Sequence, residues 1–165
     1  MFSLITAIVS IALFSIIAAV SINHIPVDAL ITFKAREKTQ EGLRALASGS
    51  VRYIKSVTTT NGVTTLPAPG TDLTGIIQPT FAFIPAAPSG MSWSVSSSSY
   101  SGLPAVEICL QPVSVIDEAT RRGVVSVQSQ FPAAAVFVNS SCGAISNGSG
   151  AHLTYWVLAA HATGT

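Results

Sequence analysis

The stretch FSLITAIVSIALFSIIAAVSINHIPVDALITFKAREK, residues 2–38, decides what kind of protein this chain can be. It contains no formally charged side chain before Asp28, and a densely charged segment follows. Residues 1–22 supply the roughly 20 predominantly apolar residues that a membrane-spanning helix needs. A secretory signal peptide is disfavoured, because there is no basic n-region and the apolar character continues past residue 20. We therefore expect this segment to be buried in lipid or among other copies of itself.

Pro26 interrupts the apolar segment, shortly after the polar residues Asn23 and His24. A proline lacks the backbone donor of a helical residue and clashes with the carbonyl four residues earlier. We therefore expect a helix break over Asn23 and Pro26. The apolar pattern then resumes up to Phe33, so the first predicted region is an apolar half-helix over residues 1–33.

Residues 34–57 are rich in helix formers and carry apolar side chains at three- to four-residue steps. These apolar residues are Leu43, Leu46, Ala47, Val51, Ile54 and Val57. Such a stripe predicts an amphipathic half-helix that packs on a globular domain. That domain is expected to be a β-rich head over residues 58–165.

The head is predicted from short β-type runs separated by glycine, proline and serine. The candidate strands are 78–84, 91–95, 105–112, 123–128, 134–138 and 153–159. Between them, VIDEATRR predicts a helical turn with two opposite-charge pairs at four-residue spacing, Asp117 with Arg121 and Glu118 with Arg122. This cluster is either a solvated surface turn or a contact between subunits.

Composition excludes several classes of partner. The chain has 165 residues, a net charge of +1, only 9% charged residues and a mean hydropathy of +0.56. Because there is no strong charge excess, no nucleic acid contact is expected. Six of the eight Lys and Arg residues precede residue 58, which leaves the head nearly uncharged.

The two cysteines, Cys109 and Cys142, lack the paired spacing of a zinc site. A disulfide is expected if the domain is exported, with buried free thiols as the alternative. His24, His152 and His161 have no Cys or carboxylate at motif spacing, and no glycine-rich loop precedes a Lys-Ser/Thr pair. We therefore expect no enzyme activity, no cofactor and no metal site.

The order of these parts resembles the type IV pilins and their pseudopilin relatives. The local resemblance is Phe2-Ser3-Leu4-Ile5-Thr6, which is similar to the F-T-L-I-E that starts many mature pilins. Pro26 lies slightly later than the family's proline, and the size of the cysteine-bounded segment looks like the type IVb branch. The resemblance implies an α+β fold: a long N-terminal α-helix packed on an antiparallel β-sheet, with a disulfide-bounded C-terminal region.

The resemblance also implies a function and a set of partners. The chain would be a structural pilin, held in the inner membrane before it polymerises into an extracellular filament for adhesion, motility, DNA uptake or conjugation. Its partners would be other copies in a helical homopolymer, the inner membrane, the pilus assembly platform and the prepilin peptidase. N-terminal processing and methylation would fall at Met1 or Phe2. Filament-core contacts would come from Ser3, Leu4, Ile5, Thr6 and Phe14.

Two departures from the family pattern leave alternatives open. The leader that ends in basic residues and glycine does not precede Phe2, so we interpret the numbering as starting after leader removal. The family's glutamate at mature position five is replaced by Ile5 or Thr6, depending on the true start. Some minor pilins lack this glutamate. The alternatives are therefore a minor pilin or secretion-system pseudopilin, or a single-pass membrane-anchored β-domain adhesin.

Overall fold

The structure, a computed structural model, describes residues 8–12, 15, 26–57, 59–60, 63–132 and 135–160. The chain divides into two compact units, Met1–Leu30 and Ile31–Thr165. In the first unit, residues 8–12 and 15 are helical, and the Ser15 hydroxyl donates to the Ile11 carbonyl at 2.8 Å. This bond to the preceding turn lets a helix accommodate serine.

The second unit combines helices with a four-stranded antiparallel sheet in the order β3-β4-β6-β5. The helices are α1 (Val27–Ser56), α2 (Thr74–Ile77) and α3 (Glu118–Ser126), and α3 continues into a 3-10 turn at Val127–Gln130. The strands are β1 (Thr59–Thr60), β2 (Val63–Thr64), β3 (Met91–Tyr100), β4 (Leu103–Pro112), β5 (Val136–Asn139) and β6 (His152–Leu158). β1 and β2 form a separate two-stranded sheet.

Helix α1 packs on one face of this sheet through the stripe that the sequence predicts. Leu43, Leu46 and Ile54 are fully buried, and they share one core with residues of the sheet strands. The sheet residues of that core include Val95, Val106, Ile108, Leu110, Val136, Val138, Leu153 and Val157. Ala47, Val51 and Val57 are partly buried against the same core. The α+β class, with a long helix packed on an antiparallel sheet, is confirmed.

The opposite, outer face of the sheet carries Ala105, Glu107 and Cys109 of β4, since alternate residues of a strand point to opposite faces. Ala105 packs there with Phe137 and Trp156 in a second, smaller apolar cluster. The loop of residues 140–150, called the Cys142 loop below, lies on this face. It is attached by the Cys109–Cys142 disulfide and by packing of Ala144 against the cluster.

Four of the six predicted strands correspond to β3, β4, β5 and β6, and two predictions were wrong. Residues 78–84 follow α2 as a turn, in which the Phe81 and Ala82 N–H groups both donate to the Ile77 carbonyl. Residues 123–128 lie in α3 and the 3-10 turn. Their valines suggested a strand, but Val124 and Val127 are three residues apart and both are fully buried, which is a helical period.

Strand β3 is also longer than predicted, because the serine run Ser96–Ser99 continues the strand rather than ending it. Every residue from Ser96 to Ser99 is paired with β4. Loop 70–73 covers part of the free edge of β3: the Gly70 N–H donates to the Ser97 carbonyl at 2.7 Å, and the Ser97 N–H donates to Thr71 at 2.8 Å. An edge strand covered in this way is protected from pairing with another chain.

The predicted location, the inner membrane followed by an extracellular filament, is overturned by one finding. Across the stretches that the structure describes, no helix is both long and apolar enough to cross a membrane. The longest of these helices, α1, carries charged side chains along its length, from Asp28 to Lys55. Charged side chains are costly to place in the hydrocarbon of a membrane. Of the predicted apolar residues 1–22, only 8–12 and 15 lie among the described residues.

Candidate functional site

Most of the N-terminal residues singled out from the sequence lie outside the described residues. These are Met1, Phe2, Ser3, Leu4, Ile5, Thr6, Phe14 and Asn23. Pro26 is described: it is exposed, it directly precedes α1, and its carbonyl accepts from the Ala29 N–H at 2.9 Å. The predicted helix break over Asn23 and Pro26 stays a prediction, as do the domain boundaries at residues 33 and 57.

Large apolar side chains are exposed in the described part of the N-terminal region. In the first unit, Ile8, Val9 and Ile11 are 59%, 58% and 67% exposed. Val27 and Leu30 at the start of α1 are also exposed, and so is Phe33 in the second unit. Burying a side chain of this size contributes about 1.5–3 kcal/mol relative to leaving it in water. These residues therefore favour association with another apolar surface.

The second unit exposes a further apolar pair between β4 and α3. Val113 is 65% exposed and Val115 is 100% exposed. The backbone beside them is anchored, because the N–H groups of Val113 and Ser114 donate to the Gly90 carbonyl at 2.9 and 3.3 Å. The loop backbone is thus held by hydrogen bonds, while the two branched apolar side chains point into solvent.

The disulfide between Cys109 and Cys142 is present, which confirms that pairing. Cys109 is buried in β4, and Cys142 is half-buried in its loop. Glu107 lies two residues before Cys109 on the same outer face, and one carboxylate oxygen and both sulfurs lie within 4.8 Å of one another. Burial raises the pKa of Glu107, whereas a hydrogen bond from the Gly143 N–H opposes that shift. Nothing in the sequence pattern pointed to Glu107.

Two asparagines attach the Cys142 loop to the edge of β5. Asn147 Oδ1 accepts from the Val138 N–H at 3.1 Å, and the Gly148 N–H donates to the Val138 carbonyl at 2.8 Å. Asn139 Nδ2 donates to the Ser146 carbonyl at 3.2 Å. On the other side of the loop, Trp156 Nε1 donates to the Ala144 carbonyl at 3.0 Å. These bonds hold residues 144 and 146–148 of the loop in place.

The charged cluster at the start of α3 is built differently from the prediction. Asp117 caps the helix: its carboxylate accepts from the Thr120 N–H at 2.6 Å and from the Thr120 hydroxyl at 2.9 Å. These bonds hold the pKa of Asp117 below its ordinary value. Arg121 forms a two-pronged ion pair with Glu118 at 2.7 Å, three residues away rather than four. The pairing Asp117–Arg121 was wrong because Asp117 is occupied as the cap.

Two of the open grooves on the second unit have no His, Cys, Asp or Glu side chain in their lining. One has a volume of about 290 Å³ and is lined mainly by proline and serine, including Pro67, Ser97 and Pro104. The other, about 190 Å³, runs along α1 past Lys34 and Lys38. His24 and His161 lie outside the described residues, and His152 is half-buried on β6.

Comparison with known proteins identifies no family for this chain. A scan against family models finds no match, and searches of curated proteins and of solved structures find none either.

Proposed function

We propose that this chain is a structural subunit that assembles with copies of itself into a filament of the type IV pilin kind. The observation that carries the proposal is the exposure of Ile8, Val9 and Ile11 in a segment whose sequence has no charge before Asp28. In the proposed filament, residues 1–27 of each copy, which carry no charged side chain, are buried against the same residues of its neighbours. Assignment to the pilin fold itself is part of this proposal.

The second unit supports the proposal because its own core is already filled. Leu43, Leu46 and Ile54 of α1 are fully buried within the unit, so they are not available to another copy. The exposed apolar residues at the N-terminal end lie outside that core. The chain buries one part of its apolar sequence in its own core and exposes another part. Association with a second molecule removes that exposed apolar surface from water.

The driving force in the proposed filament is the removal of apolar surface from water, at roughly 25 cal/mol per Å² buried. A segment without charge can be surrounded by identical segments, because no ionised group has to be desolvated. An acidic residue introduced into this surface would have to be buried, or else would hold neighbouring copies apart. One added charge on the N-terminal apolar surface should therefore weaken assembly, whereas the same charge outside that surface should not.

The test compares two isoleucines with nearly equal exposure, Ile11 at 67% and Ile145 at 65%. Full-length chain is purified in mild detergent, diluted out of it, and assayed by sedimentation and negative-stain electron microscopy. Wild type is expected to form filaments, and so is the control Ile145→Asp. Ile11→Asp should raise the critical concentration for sedimentation by about tenfold or more, the effect of roughly 1.4 kcal/mol in association.

Two outcomes would overturn the proposal. One is a wild-type chain that remains monomeric after detergent removal at every concentration tested. The other is equal assembly of Ile11→Asp and Ile145→Asp, which would show that the N-terminal surface is not buried in the polymer. Circular dichroism of both variants, compared with wild type, checks that the substitutions leave the folded unit intact.

A further inference from the structure

We propose that Glu107, Cys109 and Cys142 form a redox-gated binding site for a thiophilic divalent cation such as Zn²⁺. In the oxidised chain the two sulfurs are joined as a disulfide and the cation is excluded. In the reduced chain the same two sulfurs and the Glu107 carboxylate become its ligands. This inference is independent of filament assembly.

The spacing of the three donor groups fits one cation. One carboxylate oxygen and both sulfurs lie within 4.8 Å of one another. Zinc binds cysteine sulfur at about 2.3 Å and carboxylate oxygen at about 2.0–2.2 Å in tetrahedral sites, which places two sulfurs of one site about 3.8 Å apart. The carboxylate oxygen therefore lies close to the position of a third ligand, and the main change needed is separation of the two sulfurs.

The fold provides a fixed half and an adjustable half for that separation. Glu107 and Cys109 lie on β4, which is paired on both sides by β3 and β6 and so holds their backbone in place. Cys142 lies in a loop and is followed by Gly143, whose φ of +78° is readily adopted only by glycine. The hydrogen bonds that hold the loop to β5 and Trp156 are made by residues 144 and 146–148, so Cys142 can shift while the strand side stays in position.

The surroundings supply an orienting contact and a fourth donor. The Gly143 N–H hydrogen-bonds to the Glu107 carboxylate and fixes its orientation, as outer-shell donors do in metal sites. Gln111 lies on the same face of β4, and its Oε1 is 3.6 Å from Cys142 Sγ. Two thiolates with one carboxylate and an amide oxygen suit Zn²⁺ better than Mg²⁺ or Ca²⁺, which prefer oxygen ligands alone.

Reduction of the Cys109–Cys142 disulfide requires an external reductant. A dithiol transfers two electrons and two protons to the disulfide: the Cys109–Cys142 bond breaks, two thiols form, and the dithiol becomes a disulfide. Zn²⁺ then displaces one proton from each thiol, because the thiolate is the form that binds metals. Exchange with a small-molecule disulfide reverses the step: it takes up the two electrons and becomes a dithiol, the Cys109 and Cys142 sulfurs are joined again, and the cation is released.

The test uses Co²⁺ as a spectroscopic probe on the full-length chain. The chain is reduced with a water-soluble phosphine, which takes up oxygen from water to become the phosphine oxide and does not add competing thiols. Co²⁺ is then expected to give a near-ultraviolet sulfur-to-cobalt absorption band that Zn²⁺ abolishes by displacement. The oxidised chain should give no such band, and neither should Cys142→Ser.

A matched pair of carboxylate variants tests the role of Glu107. Glu107→Gln should weaken Zn²⁺ binding by about 10–100-fold in the reduced chain, whereas Glu118→Gln, a carboxylate on α3, should leave it unchanged. Equal Zn²⁺ affinity of Glu107→Gln and wild type would overturn the site. So would a reduced wild-type chain that gives no cobalt–sulfur band.

The site can also be tested if the chain unfolds when its disulfide is reduced. Where the reduced chain unfolds, binding of Zn²⁺ to the folded form should restore the native circular dichroism, since metal binding is then coupled to folding. The same restoration should fail with Mg²⁺. A reduced chain that stays unfolded in excess Zn²⁺ would contradict the proposal, and filament assays of the oxidised chain would be unaffected by that result.

Discussion

Gly42 is the residue at which α1 contacts the indole ring of Trp93. A Cβ built there would lie 2.7 Å from Trp93 Cε2 and closer still to Cζ2, so any larger side chain forces the helix or the ring to move. Alanine normally favours a helix over glycine by about 1 kcal/mol. Because the clash is with a ring packed against the core, Gly42→Ala is expected to lower the free energy of unfolding by about 1–3 kcal/mol.

Gly75 in α2 is the matched control, since a Cβ there would meet nothing within 4 Å. Gly75→Ala should leave the unfolding free energy unchanged or raise it by up to about 1 kcal/mol. Both variants are measured by urea denaturation. A Gly42→Ala chain as stable as wild type would show that the contact with Trp93 relaxes freely.

A second single residue, Asp117, should make the stability of the folded chain depend on pH. Hydrogen bonds from Thr120 hold the pKa of Asp117 below its ordinary value of 3.8, so its ionised form stabilises the folded chain above that pH. This stabilisation is lost as pH falls through the lowered folded-state pKa. At neutral pH, Asp117→Ala should therefore have a lower melting temperature than wild type, and the gap should narrow below about pH 3.8.

The control for that titration is Asp117→Asn, which keeps an acceptor oxygen for the Thr120 N–H but has no carboxyl group to ionise. The difference between the Asn and Ala variants should not depend on pH. Melting curves from pH 2 to pH 7 make the comparison. A gap between wild type and Asp117→Ala that stays constant over this range would rule out the capping account.

The Cys142 loop is the element whose position depends on a covalent bond. Cys109 and Cys142 are 33 positions apart, and in the chain-entropy model a cross-link closing about 34 residues contributes roughly 3–4 kcal/mol. The double variant Cys109→Ala, Cys142→Ala is therefore expected to lose about that much unfolding free energy. Urea denaturation of the oxidised wild type beside the double variant measures it.

The redox state itself is checked by intact mass after alkylation in denaturant. Without reductant, the full chain should take up no alkyl group, and after reduction it should take up two, one at each cysteine. Two alkylated thiols without prior reduction would contradict the disulfide. Reduced wild type should also match the double variant in stability, since both lack the cross-link.

At the scale of the whole molecule, the second unit offers an apolar contact for assembly through Val113 and Val115. Val115 is fully exposed, so replacing it should change the stability of the folded chain by less than about 0.5 kcal/mol. If copies meet through this loop in the proposed filament, Val115→Asp places a charge in the contact. It should then reduce the sedimented fraction several-fold while leaving the melting temperature unchanged.

Ser149→Asp is the control, because it adds the same charge at an exposed polar position of the Cys142 loop. Its sedimentation should match that of wild type. Unimpaired filament formation by Val115→Asp would remove this loop from the proposed contact. The N-terminal contact is tested separately by Ile11→Asp, so the two surfaces can be distinguished.

The sequence alone determined the elements whose pattern is local. The stripe of Leu43, Leu46 and Ile54 predicted the packed face of α1, because a helix brings residues three and four apart to one side. Four short β-type runs predicted strands of the sheet, since turn-forming residues mark their ends. With two cysteines in the chain, the sequence also limited an internal disulfide to the pair Cys109 and Cys142, which is the pair observed.

Only the tertiary structure decided what depends on distant neighbours. The valines at 124 and 127 became part of a helical face because they pack into the core. Glu107 gained its place beside the disulfide because β4 presents it to the loop that carries Cys142. Asn139 and Asn147 hold that loop to β5 through side-chain hydrogen bonds. These roles depend on contacts between segments far apart in the chain, and no local pattern encodes such contacts.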